Sequence, residues 1–235
     1  MKYMGSKARL AKHFKNIFQP LVDSGYQYAE PFAGGMNMIC EIDGKRLAND
    51  SNTYLIAMWE MLLKGWVPEH VSKEQHIRIR DNFQDYEHYK IGWAGFNCSY
   101  SGIFFAGYAG VTKTKGGIRD YQQEAIKNVL AQVKKLQGVQ FSNLDYTKLS
   151  FEAKTLIYCD PPYRNTTGYR TKFDHGEFYD WCRNMRGAGH LVYVSEYDMP
   201  SDFTCIFERE VKSSLSANGR IGSSKLSTEK LFTLC

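Results

Sequence analysis

The residues best suited to chemistry stand four in a row, Asp160-Pro161-Pro162-Tyr163, directly after the apolar run Thr155–Cys159. A strand that runs into two prolines cannot go on pairing, because neither carries a backbone N–H. The prolines therefore fix a rigid loop at the carboxyl end of the strand, the edge at which open α/β sheets bind ligands. A carboxylate and a proline carbonyl can each accept one N–H. Asp160 and Pro161 are thus placed to hold an amine whose lone pair is delocalised, such as the exocyclic amino group of adenine. Holding that nitrogen in line with an electrophilic methyl favours the rehybridised, positively charging transition state. Tyr163 offers a flat face for stacking on a base. The plain alternative is a strand-ending loop with a solvent-facing aspartate.

A second group lies upstream. Ala29-Glu30-Pro31-Phe32-Ala33-Gly34-Gly35 joins a short strand-like run to a Gly-Gly turn. Asp50 closes another short run, Arg46–Asn49, and a carboxylate there can accept both hydroxyls of a ribose. It could equally cap the helix that follows.

The elements that must position these residues can be read from spacing. Lys7–Phe18 has apolar residues at helical intervals. Tyr26–Phe32 reads as a strand, Met36–Ile42 as a short apolar stretch, Arg46–Asn49 as a second strand and Ser51–Leu63 as a helix with Ser51 as N-cap. This is the opening half of a doubly wound, mostly parallel α/β sheet. The alternation then stops. Ser72–Tyr89 is a polar helix candidate, 102–108 a short strand or hairpin with turn glycines, 113–119 a basic glycine-containing loop and Tyr121–Leu136 a helix. Strand and helix alternate again at Val139–Tyr146, Thr155–Cys159, Asp174–Met185 and His190–Ser195. Phe203–Arg209 and Lys230–Leu234 suit closing strands, and 212–228 is a Ser/Gly-rich polar loop. The expected organisation is a catalytic domain from 1–60 and 141–235 with an insert at 61–140.

Composition narrows the class. The 235 residues are 43% hydrophobic and 23% charged, ordinary for a globular chain with one core. Of a net charge of +5, the segment 61–140 carries most, with 11 basic side chains against 7 acidic. The six cysteines include no C-x-x-C pair, no histidine has a partner at metal or triad spacing, and Ser195 lies in V-S-E rather than G-x-S-x-G. No metal is expected. The uncharged run 91–112 holds five glycines and no leucine, a poor lipid-facing helix, so no membrane association is expected. Lacking a signal segment as well, the chain is expected to work in a reducing cytoplasm, of a bacterial cell or an infected host cell.

Asp160–Tyr163 after an apolar strand, with Ala29–Gly35 far upstream, resembles the DNA N6-adenine methyltransferases, and more closely their Dam-like group of bacteria and bacterial viruses. That group places the cofactor motif first, a recognition insert second and the amine loop third, as here. Tyr3-Met4-Gly5-Ser6-Lys7 matches its Tyr-x-Gly-x-Lys start, Leu47–Asp50 its second acidic motif, and Phe96-Asn97 with the following glycine-aromatic run the start of its insert. Tyr169 and Phe173 follow the amine loop as in the group. Two positions depart: Met36 stands for a third turn glycine, and Ser195-Glu196 for a Ser-Asn pair.

The resemblance implies a Rossmann-like fold, S-adenosyl-L-methionine as cofactor and double-stranded DNA as partner. It implies that Tyr3, Lys7, Pro31, Phe32, Gly34, Gly35, Asp50 and Asp160 frame the cofactor. The reaction it implies is in-line methyl transfer to N6 of a flipped-out adenine, with Asp160 and Pro161 holding the amine, Pro162 keeping the loop rigid and Tyr163 stacked on the base. Lys113, Lys115 and Arg119, beside Phe104, Phe105 and Tyr108, are candidates for phosphate contacts, and Asn97 and Ser99 for base edges. The alternatives are methylation of another amine (cytosine N4, RNA or protein) and an inactive DNA-binding relative.

Overall fold

In the computed structural model, residues 1–114, 116–164, 173–212 and 226–234 are described. The chain divides into two compact units, Met1–Ser150 and Phe151–Cys235.

The first unit opens with helix α1, Ala11–Asp23, which buries Ala11, Phe14, Phe18 and Val22 along one stripe. The expected start at Lys7 is corrected. Residues 8–10 only turn, and the Lys7 ammonium folds back to donate to the Gly5 carbonyl at 3.1 Å. Strands β1 (Gln27–Glu30) and β2 (Arg46–Asn49) run parallel, Ala29 opposite Leu47. Met36–Ile42 holds only a 3-10 turn, Ile39–Glu41. Helix α2, Thr53–Leu63, is capped by Asn52, whose side chain accepts the Leu55 N–H. The cap thus falls one residue beyond Ser51.

Ser72 begins α3, Lys73–Asp81, with a capping box closed by Gln75. The helix expected to reach Tyr89 breaks at Asn82 and restarts as α4, His88–Gly92, continued by a π-helical segment Trp93–Asn97. Gly92 has no room for a Cβ, which would collide with the Tyr54 carbonyl of α2. The 102–108 run is no hairpin. It makes a turn and a single bridge between Ser99 and Tyr108. The hairpin lies where a basic loop was expected, as β3 (Val111–Thr114) and β4 (Gly117–Asp120) with Lys113 opposite Ile118. Helix α5 (Tyr121–Lys135) and strand β5 (Val139–Ser142) follow, β5 parallel to β2. Arg46 ties these together. Its buried guanidinium donates to the Ile39 carbonyl of the 3-10 turn and, at the C-terminal end of α5 where a cation is favoured, to the carbonyls of Lys135 and Gln137.

In the second unit, β6 (Thr155–Cys159) is buried at every residue. Asp174 caps α6, His175–Gly187, by accepting the Gly176 and Glu177 N–H groups. Strand β7 (Leu191–Glu196) is parallel to β6. β8 (Phe203–Lys212) and β9 (Leu226–Leu234) are antiparallel to each other, and β9 is antiparallel to β7. The architecture is the doubly wound, Rossmann-like α/β class expected from the sequence, with mostly parallel strands. No helix among the described residues is long and apolar enough to cross a membrane.

Candidate active site

In the first unit, the turn after β1 is held by β2. The Ala33 N–H donates to the Asn49 carbonyl at 2.8 Å, and the Gly34 N–H to Asp50 Oδ2 at 2.9 Å. The other Asp50 oxygen accepts the Asn52 N–H. Burial pushes the Asp50 carboxyl above its ordinary range, and these two N–H donors offset only part of that. Asn49 is a hub that sequence reading passed over. Its amide donates to the Pro31 and Leu144 carbonyls, and its oxygen accepts the Ser142 hydroxyl and the Leu144 N–H.

Gly34 has φ of +48°, and a Cβ there would lie 2.7 Å from the Tyr3 ring. One at Gly35 would lie 2.7 Å from both the Tyr3 and Asn37 side chains. The structure thus brings Tyr3, Gly34 and Gly35 into contact, with Tyr3 also against Phe96 at 5.5 Å between ring centroids. Pro31 is buried beside them, and Phe32 packs on Tyr146. Lys7 is buried. Met36, at the departing position, has φ of +57° with its side chain fully buried. It keeps a left-handed backbone that costs about 1–2 kcal/mol outside glycine.

In the second unit, the all-buried β6 ends at Cys159 and hands the chain to half-buried Asp160, buried Pro161 and half-buried Pro162 and Tyr163. The Tyr163 hydroxyl donates to Glu229 Oε2 on β9 at 3.0 Å, and its ring meets Tyr197 edge-on at 4.7 Å. Burial, then the neighbouring Asp160 and Glu229 charges, push the phenol well above its ordinary range. The next residue is also held: the Arg164 N–H donates to Glu196 Oε2 at 3.1 Å, while Oε1 accepts the Tyr197 N–H at 2.8 Å. Glu196, the departure from Ser-Asn, is buried and fastens this loop. Ser195 hydrogen-bonds Tyr158. Phe173 packs on His175 and Phe178, and Tyr169 lies outside the described residues.

The residues expected to meet DNA separate into two groups. Asn97 and Ser99 are buried, contrary to a place on base edges. Asn97 reaches Met58 Sδ, and Ser99 bonds the His76 ring and the Ala94 carbonyl. Burial, then Arg80, hold the His76 imidazole below its ordinary range. Phe104 stacks on Tyr54, Phe105 packs on His76, and the Tyr108 hydroxyl donates to the Val71 carbonyl, so these aromatics build the local core. Lys113 and Arg119, by contrast, are exposed on the hairpin. Arg119 pairs with Glu124 through two nitrogens and lies over the Tyr121 ring. Lys115 lies outside the described residues. The hairpin also exposes Val111 and Ile118, the latter 81% accessible, which charge counting had passed over.

Frame and loops define the class: an α/β protein with a glycine turn after its first strand and a Pro-Pro loop after a buried strand. The chain belongs to the D12 class N6 adenine-specific DNA methyltransferase family, whose model it matches over residues 3–201. The Type II methyltransferase M.FokI of Planomicrobium okeanokoites is 24% identical over 209 residues, 78% of this chain and 31% of that protein. The chain therefore spans about a third of the length of this curated relative. Among solved structures, the protein HI0767 of Haemophilus influenzae aligns over 96% of both chains with 11% identity and a TM-score of 0.37. The protein SMU.472, complexed with SAH, aligns over 95% of this chain and 53% of that one, with 13% identity and a TM-score of 0.34. At those scores the assignment rests on the family match.

Proposed function

We propose that the protein transfers a methyl group from S-adenosylmethionine to N6 of adenine in double-stranded DNA. The observation that carries this reading is the family match over residues 3–201, which spans both the glycine turn and the amine loop. The residues present fit the cofactor. Each Asp50 oxygen accepts one N–H and keeps a lone pair, as acceptance of two ribose hydroxyls requires. Bound, S-adenosylmethionine supplies an electrophilic methyl group. Pro31, Phe32, Gly34 and Gly35 let backbone come close to the cofactor, with Tyr3 and Lys7 beside it. Asp160 and the Pro161 carbonyl accept the two amine N–H groups, Pro162 keeps that loop stiff, and Tyr163 stacks on the base.

The DNA-reading insert is the segment 61–140. Lys113, Lys115 and Arg119 contact phosphates there, and exposed Val111 and Ile118 suit apolar contact with bases. Flipping the target base costs a few kcal/mol, which these contacts offset. Asn97 and Ser99 serve this reading by holding the insert in shape.

Expression in a host without adenine methylation tests it. Chromosomal DNA should acquire N6-methyladenine with the wild-type protein. With Asp160→Ala it should carry less than about a hundredth as much, consistent with loss of a transition-state hydrogen bond. Full methylation by a folded Asp160→Ala protein would remove Asp160 from the reaction.

A further inference from the structure

A phenylalanine would stack on a base as well as a tyrosine does, so the hydroxyl at position 163 has to be explained by something else. It is bonded to Glu229, 66 positions downstream on the antiparallel strand β9. We propose that Glu229 is a positioning residue for methyl transfer, which accepts the Tyr163 hydroxyl and so fixes the plane on which the target base stacks. This rests on the reading of Asp160–Tyr163 as the amine loop.

Three restraints converge on Tyr163. Glu229 holds the far end of the ring, Tyr197 meets it edge-on, and Glu196 grips the N–H of the following residue. A ring on a loop otherwise keeps freedom about χ1 and χ2, and a stacked base would share that freedom. The amine must meet its acceptors and the methyl donor in a narrow geometry, so a wandering plane costs rate more than affinity. The bond has an electronic consequence as well. A carboxylate drawing on the phenol proton enriches the ring's π-face, which then attracts a base gaining positive charge at N6 more strongly. Glu229 is suited to this because it sits on a paired strand, opposite Arg209 in the register. A paired strand thus holds a ring carried on a loop.

Single-turnover methyl transfer at saturating cofactor and DNA tests the assignment in Glu229→Ala, Glu229→Gln, Tyr163→Phe and the Glu229→Ala/Tyr163→Phe double variant. The expected result is a rate loss of about tenfold in Glu229→Ala and in Tyr163→Phe, with dissociation constants for cofactor and DNA within about twofold of wild type. Glu229→Gln keeps an acceptor oxygen and should recover most of the rate. The double variant should be no slower than the slower single one, because both remove the same bond. Should Glu229→Ala fail to fold, Tyr163→Phe and Glu229→Gln carry the test. A wild-type rate in Tyr163→Phe, or losses that multiply in the double variant, would overturn the proposal. If Tyr163→Ala also transferred at the wild-type rate, the amine-loop reading itself would fall. A crippled Tyr163→Ala beside a fully active Tyr163→Phe would sink only the role of Glu229.

Discussion

Asp50 answers two demands with one carboxylate. It holds the glycine turn by accepting the Gly34 N–H, and it is the acceptor proposed for the cofactor's hydroxyls. Burial raises its pKa in the folded chain above the ordinary aspartate value of 3.8. Between 3.8 and the folded value the native state binds more protons than the unfolded one, so stability falls as pH rises through that window. Above it, Asp50 is a standing cost. Hydroxyl donors favour the charged form, so cofactor binding should lower this pKa and release a proton. Calorimetric titration in buffers of different ionisation heat, at a pH within that window, should detect the release, and affinity should weaken on acidification. In Asp50→Asn the dependence should vanish. The amide must also turn its NH2 toward one of two N–H donors, at a cost of about 1–3 kcal/mol read as a lower melting temperature. Proton release that persists in Asp50→Asn would assign it to another group. Asp50 was legible in sequence because its place after a short strand has a chemical meaning. Asn49, Glu196 and Glu229 were not, because their partners are long-range: Asn49 bonds Ser142 and Leu144, Glu196 bonds Arg164, and Glu229 bonds Tyr163.

At the scale of elements, apolar runs and helical spacing found what is buried. β2, β6 and α5 fall where the sequence puts them: α5 buries Gln122, Ile126 and Val129 at helical spacing, while β2 and β6 are short, largely buried runs. Apart from the start of α1 and the cap of α2, the failures lie between residues 82 and 120. The β3–β4 hairpin is exposed along nearly its whole length, so no face alternates and nothing marks it as strand. The glycines at 92 and 95 serve close packing, which spacing does not reveal: a Cβ at Gly92 would strike the Tyr54 carbonyl, and one at Gly95 the rings of Phe104 and Phe105. Gly92→Ala should therefore force α4 away from α2. The obstacle is backbone and cannot swing aside, so a cost of about 1–3 kcal/mol is expected, a fall in melting temperature of roughly 3–10 °C. An unchanged melting temperature would mean that the two helices cross less tightly than the structure has them.

For the whole molecule, the order of motifs was the most legible feature, because it depends on no boundary or contact. The glycine turn belongs to the unit Met1–Ser150 and the amine loop to Phe151–Cys235, so the two halves of the proposed chemistry are carried by different units. The modest net charge of +5 is concentrated in the segment that bears the exposed Lys113 and Arg119, which suits a partner held by its phosphates. The most direct test of the central claim is incubation of the purified protein with methyl-labelled S-adenosylmethionine and unmethylated duplex DNA, RNA or protein, followed by nucleoside analysis. The account predicts label in duplex DNA, recovered as N6-methyladenine. Label recovered as N4-methylcytosine, or only in RNA or protein, would contradict it, as would bound cofactor with no transfer to any of them.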